Sequence, residues 1–183
     1  MHKVAICVCT YHRPRMLREC LLSLATLSVP SDIRPIVIIV DNEAEPNNRD
    51  VVSEFMESCP FQVSYIHELK RGIAAARNAA LKLADALNAA WIAFIDDDAR
   101  ADPDWLAEIM SPEYRSTAVL MGANKYIYPT PTPFWVQEEE PKGEEGQKCK
   151  TAYSGNVRFS AARNALPLLT LMPAAGAVMV RAA

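Results

Sequence analysis

Three consecutive acids, Asp96-Asp97-Asp98, directly follow the apolar run Trp91 to Ile95. Crowded at the end of a strand, they repel one another unless a cation shares them. If the chain stays extended there, Asp96 and Asp98 face the same side. Mg²⁺ or Mn²⁺ takes oxygen ligands, often one or two carboxylates completed by phosphate oxygens. An ion so placed would hold a diphosphate and neutralise its charge on departure. The plainer alternative is a solvated acidic turn leading into the next helix.

Two other polar clusters follow apolar runs. Thr10-Tyr11 follows Val4 to Cys9, and Asp41-Asn42 follows Ile36 to Val40. Thr10 and Tyr11 could contact a base or ribose, Tyr11 by stacking, or could form a simple strand-to-helix junction. Asp41 could accept a hydrogen bond from a base N–H or a ribose hydroxyl, or could be an ordinary turn residue. Arg77, inside AAARNAAL, could reach a phosphate, pair with the acids or lie on a helix surface. Tyr128 and Trp135 could stack on a sugar ring or pack down their Pro-rich loop. Glu138 to Glu140 reads as a solvated charge run, and His12 and His67 as structural or surface groups.

What is missing narrows the chemistry. There is no GxGxxG and no GxxxxGK[ST], and the chain has only six glycines, so a Gly-rich phosphate loop is not expected. GxSxG and HExxH are also absent, and the three histidines (2, 12 and 67) are scattered, which argues against hydrolase triads and zinc catalysis. Nineteen Lys and Arg against 22 Asp and Glu give a net charge of -3, unlike a general nucleic-acid binder. Five cysteines without a CxxC pair fit reduced thiols in a cytoplasm-like compartment. The N-terminal apolar run is too short, and wrongly flanked, for a signal peptide. The longest apolar stretch, 165–180, is broken by Pro167, Thr170 and Pro173 and reads as a core segment or a damaged tail.

These clusters need a frame to hold them. Apolar runs predict strands over 4–9, 36–40, 61–67, 90–95 and 117–121. Helical periodicity predicts helices from Pro14 to about 27, over 49–57 and over 72–88. A fourth opens at Asp102-Pro103, read as an N-cap and first helical residue, and runs to about 110. Alternation of this kind implies an α/β fold with a mostly parallel central sheet and helices on both faces. Ligands of such sheets sit beyond the carboxyl ends of the strands, where the polar clusters lie. Residues 1–127 form the core of this scheme. Residues 128–183, with four prolines between Pro129 and Pro141, change in character and form a second region.

The segments VAICVCTYHRPRMLRECLLSL, IVIIVDN, RGIAAARNAAL and WIAFIDDDARADPDWL resemble, in order and spacing, the motifs of family 2 glycosyltransferases of GT-A fold. The resemblance covers about residues 3–125 and extends to Gly155-Asn156-Val157. It is nearer to the succinoglycan-type exopolysaccharide glucosyltransferases, through Asp41-Asn42, Glu45-Pro46 and the segment from Pro131 to Trp135.

The resemblance implies a UDP-sugar donor, with glucose as the sugar, and a saccharide or lipid-linked saccharide acceptor in polysaccharide assembly. Thr10, Tyr11 and Asp41 would bind the uridine, and Arg13 and Arg77 would line the nucleotide-sugar pocket. Asp96 and Asp98 would be the ends of a DXD motif and the Mg²⁺ or Mn²⁺ ligands, Asp98 most directly. Asp97 would lie near the ribose or sugar, and Trp135 and Asn156 on the acceptor side, which would make residues 128–183, with their Pro-rich loop, an incomplete acceptor-side region. Transfer would invert the anomeric centre in one displacement. The site of action would be the cytoplasm, and a lipid-linked acceptor would bring the chain to the inner membrane face peripherally. No feature specifies the oligomeric state.

One departure stands out. The family's base usually sits in a Glu-Asp pair well beyond the DXD, and the last 23 residues here contain no acid. The expectation is therefore that the base is missing, through truncation or divergence, and that the chain binds nucleotide-sugar but transfers poorly. Glu138 to Glu140, Glu144 and Glu145 are the remaining candidates for the base. Two other readings are a binding or interaction module and a sugar nucleotidyltransferase. The second normally needs a Gly-rich loop after the first strand, where this chain has CTYHRPR.

Overall fold

The computed structural model describes residues 1–115, 119–121, 151–153 and 178–181. Strands β1 (His2–Thr10), β2 (Ile33–Asp41), β3 (Gln62–His67) and β4 (Trp91–Asp96) form a parallel set. Strand β1 lies between β2 and β4, and neither Val4 to Val8 nor Ile36 to Val40 has any exposed surface. Burial on both faces explains why these strands read as unbroken apolar runs.

Helices cover both faces, as the alternation implies. On one face α1 (Pro14–Ala25), α2 (Arg49–Ser58) and the short α4 (Trp105–Ile109) meet Val4, Ile6, Val8, Val37 and Ile39. On the other, α3 (Ile73–Ala86) meets Ala5, Cys7, Ile36 and Ile38. Helix α3 makes this contact through Ala76, Ala80 and Ala84, one residue per turn. Such small side chains let its backbone approach the sheet closely. The helix ends at Asn88, whose φ of 55° takes the left-handed position usual for glycine. Ala89 N–H then donates to Ala84 O at 3.0 Å and Asn88 N–H to Asp85 O at 2.8 Å, which closes the end. Because Ala80 is fully buried, Ala80→Leu is expected to lower stability by about 1–3 kcal/mol in urea unfolding. Wild-type stability in that variant would mean the helix stands further off.

The structure changes two expectations. Helix α4 starts at Trp105, not at Asp102-Pro103. Pro103 O instead accepts from Ser28 N–H at 2.7 Å, and Trp105 N–H closes a turn onto Asp102 O at 2.9 Å. The sheet also continues beyond β4 in an antiparallel sense. Strand β5 (Val119–Met121) is separated from β4 by β7 (Val178–Arg181), which is antiparallel to both, and β6 (Thr151–Tyr153) pairs with β5 at the edge. Part of the segment read as a core segment or a tail is thus a strand inside the sheet.

Strand register places the polar clusters together. Thr10 pairs with Asp41, and Cys9 with Asp96. Three strand ends therefore open at one edge of the sheet.

Candidate functional site

A pocket of about 770 Å³ lies at that edge. Its floor is the acidic turn. Strand β4 ends at Asp96, and Ala99 N–H bonds back to Asp96 O at 3.0 Å, so the chain turns instead of staying extended. The three acids therefore fan out. Asp96 Oδ1 lies 3.6 Å from Arg77 Nη2 on α3. Asp97 is buried and accepts from Thr10 Oγ1 at 2.8 Å and from Arg13 Nη1 at 3.2 Å. Asp98 is half exposed and accepts from the same Arg13 nitrogen at 2.9 Å.

Burial pushes the Asp96 carboxyl up; Arg77 opposes this and the neighbouring acids add to it. Burial likewise pushes Asp97 up, against its bonds from Thr10 and Arg13. The floor thus holds more negative charge than its two guanidiniums balance, an electrostatic setting suited to a cation. Among the described residues, no group of three or more His, Cys, Asp or Glu side chains is placed to hold a metal ion. The donor set fits an ion held by one or two carboxylates and completed by substrate phosphate.

The walls come from two loops. Tyr11 and Arg13 follow β1, and Arg71, Gly72 and Ile73 lead into α3. The Arg71 guanidinium lies 5.2 Å from the centroid of the Tyr11 ring, within cation–π range. Gly72 has φ +128°, a conformation that other residues rarely adopt, and its N–H donates to Asn42 Oδ1 at 2.7 Å. Cys9 lies at the floor, where burial raises its thiol to about 12, so it remains protonated.

Thr10, Tyr11, Arg13, Arg77, Asp96, Asp97 and Asp98 all line this one pocket, while Asp41 does not. The Asp41 side chain has no exposure, and its acceptors are used internally. Oδ1 accepts from Glu43 N–H at 3.2 Å, and Oδ2 from Asn48 Nδ2 at 3.1 Å and Tyr65 OH at 2.9 Å. Burial and this bond push the Tyr65 phenol well up, which keeps it a donor. The next residue, Asn42, lines the pocket instead. The sequence places Asn42 in a strand-end cluster and Arg71, Gly72 and Ile73 in a family motif, but assigns none of them an individual role. The usable signal was Arg-Gly immediately before a helix facing the strand ends. His67 is structural, its Nε2 lying 2.7 Å from Glu43 O.

The acceptor-side candidates Trp135 and Asn156, with Tyr128, lie outside the described residues, as do Glu138 to Glu140, Glu144 and Glu145. Among the described residues no carboxylate after Asp98 lines the pocket, and no helix is long and apolar enough to cross a membrane.

A family model for "Glycosyl transferase family 2" matches residues 5–181. The chain is 33% identical over 160 residues to the succinoglycan biosynthesis protein ExoM of Rhizobium meliloti, covering 84% of this chain and 50% of that protein. It is 26% identical over 174 residues to a glucosyl-dolichyl phosphate glucuronosyltransferase of Haloferax volcanii, covering 86% of this chain and 52% of that one. The chain thus spans about half the length of the curated relatives it matches. Among solved structures, the mannosyltransferase PcManGT of Pyrobaculum calidifontis, in complex with GDP-Man and Mn²⁺, superposes with a TM-score of 0.54 at 23% identity, over 67% of this chain and 35% of that one. S. aureus TarS 1-349 in complex with UDP-GlcNAc gives 0.52 at 24% identity, over 69% and 37%. At these identities the two structures share the fold, a GT-A sheet with its flanking helices.

Proposed function

This chain belongs to glycosyl transferase family 2, and from that premise we propose that its pocket binds a UDP-sugar and serves transfer of the sugar to a saccharide acceptor. Glucose is the sugar we assign, on the likeness to succinoglycan-type glucosyltransferases. The name of the 33% identical relative supports a place in exopolysaccharide assembly. Residues 1–127 are the nucleotide-sugar-binding part and 128–183 the acceptor-side region. A lipid-linked acceptor would be met peripherally, at the inner membrane face.

One observation carries this reading. Asp96, Asp97 and Asp98 line one open pocket beyond the strand ends together with Arg13, Arg71 and Arg77, in a chain without a Gly-rich phosphate loop. The half-exposed Tyr11 ring presents a face for a base. Arg77, beside Asp96, offers positive charge for a diphosphate, and Arg71 lies against the Tyr11 ring. Thr10 and Arg13 fix Asp97, and Arg13 reaches on to Asp98. Asp98 and Asp96 would hold Mg²⁺ or Mn²⁺. The bound ion would supply charge neutralisation for the departing diphosphate. The displacement we assign is in-line and inverting; it needs a base for the acceptor proton, which no described carboxylate after Asp98 supplies, so this chain binds the donor and transfers poorly.

Isothermal titration of the full chain with UDP, with and without Mn²⁺, tests the reading without requiring turnover. Saturable UDP binding that strengthens with Mn²⁺ is expected. Absence of binding at millimolar UDP with Mn²⁺ present would overturn it.

A further inference from the structure

The two pocket walls are loops, and something must hold them in register. Tyr11 is 38% exposed; its ring meets the His12 ring edge-on at 4.2 Å between centroids and lies beside the Arg71 guanidinium. His12 has φ 56°, a left-handed conformation that is costly for a residue with a side chain. A buried carboxylate holds it there. Glu43, with no exposed surface and outside the pocket lining, accepts from His12 N–H at 2.7 Å through Oε1. Its Oε2 lies 3.0 Å from His12 Nδ1. Asn48 Nδ2 at 2.8 Å and Asn47 Nδ2 at 3.0 Å complete its shell. Burial pushes the Glu43 carboxyl up, but these bonds outweigh it and leave the group below its ordinary range.

The opposite wall is held by the preceding residue. Asn42 Nδ2 donates to Glu68 O at 2.7 Å and to Lys70 O at 2.9 Å, and its Oδ1 receives Gly72 N–H at 2.7 Å. Those three bonds span the loop that carries Arg71. Adjacent residues at the end of β2 thus each fix one wall of the pocket.

We propose that Asn42 and Glu43 are positioning residues that set the spacing of Tyr11 and Arg71, and through it the slot for the nucleobase. The inference rests on the donor-binding reading above and deepens it. Glu43 acts through His12 on Tyr11, and Asn42 acts through the 68–72 loop on Arg71.

The test is titration of full-length variants with UDP and Mn²⁺. Glu43→Ala is expected to bind UDP about tenfold more weakly, a loss comparable to part of a base-stacking contact. Glu43→Gln keeps an acceptor for His12 N–H and should stay close to wild type. In a Tyr11→Ala background, Glu43→Ala should cost nothing further, because its target is gone. Asn42→Ala, weaker than wild type on its own, should likewise cost nothing further in an Arg71→Ala background; an equal Asn42→Ala loss in both backgrounds would overturn its part. If Glu43→Ala does not fold, His12→Ala takes its place, with a smaller loss that also vanishes in the Tyr11→Ala background. Wild-type affinity in Glu43→Ala, or an equal loss in both backgrounds, would overturn the inference. A wild-type chain that fails to bind UDP would sink the donor reading first, and this inference with it.

Discussion

Asp98→Ala should weaken Mn²⁺-dependent UDP binding by about 100-fold, or about 2.7 kcal/mol. Asp98 is the most exposed acid of the turn, with half its side chain open to the pocket. Arg13 is its only described partner, and Arg13 keeps Asp97 when Asp98 is removed. The substitution therefore removes the proposed metal ligand without leaving a buried group unsatisfied, so stability should change little. With EDTA present the sign should reverse: loss of one negative charge near a diphosphate should leave UDP affinity equal or slightly higher. Titrations of wild type and variant with Mn²⁺ and with EDTA give the four affinities needed. Equal loss in both conditions would remove the metal from the account.

Asp41→Ala should act on stability instead. It leaves Tyr65 OH, Asn48 Nδ2 and Glu43 N–H without the fully buried acceptor they share, although Tyr65 is only partly buried and Asn48 keeps its bond to Glu43. A loss of about 3 kcal/mol is expected, since stranded buried donors and a broken buried network dominate such changes. Urea unfolding measures it. Asp41→Asn separates this role from direct ligand contact. It keeps an acceptor and most of the packing, so it should be milder and should leave UDP affinity nearly unchanged. A more than tenfold loss of UDP affinity in Asp41→Asn at wild-type stability would return Asp41 to the uridine, as the sequence resemblance implies.

The acidic turn and Asp41 illustrate what was legible and what was not. Asp96, Asp97 and Asp98 were readable because a buried strand of known direction ends just before them, and the strand-end rule places them at a ligand edge. Their individual directions were not, because the chain turns at Asp96 through a single backbone bond from Ala99. Asp41 sits at an equally clear strand end. Its Glu43 N–H donor is local, as in an ordinary turn, but Asn48 and Tyr65 lie seven and 24 residues away, and no local pattern shows that they will meet it. Arg71 was overlooked for the converse reason: it looks like a loop charge until Asn42 ties its loop against Tyr11.

Hydrophobic periodicity is a local property, written residue by residue, and it specified the parallel strands, their helices and the edge at which they open. Antiparallel insertion of residues 178–181 beside β4, and the division of polar strand-end groups between pocket and interior, were decided only by the folded chain. A polar side chain is left for a ligand when distant parts of the molecule do not satisfy it first, and only the assembled structure shows which partners arrive.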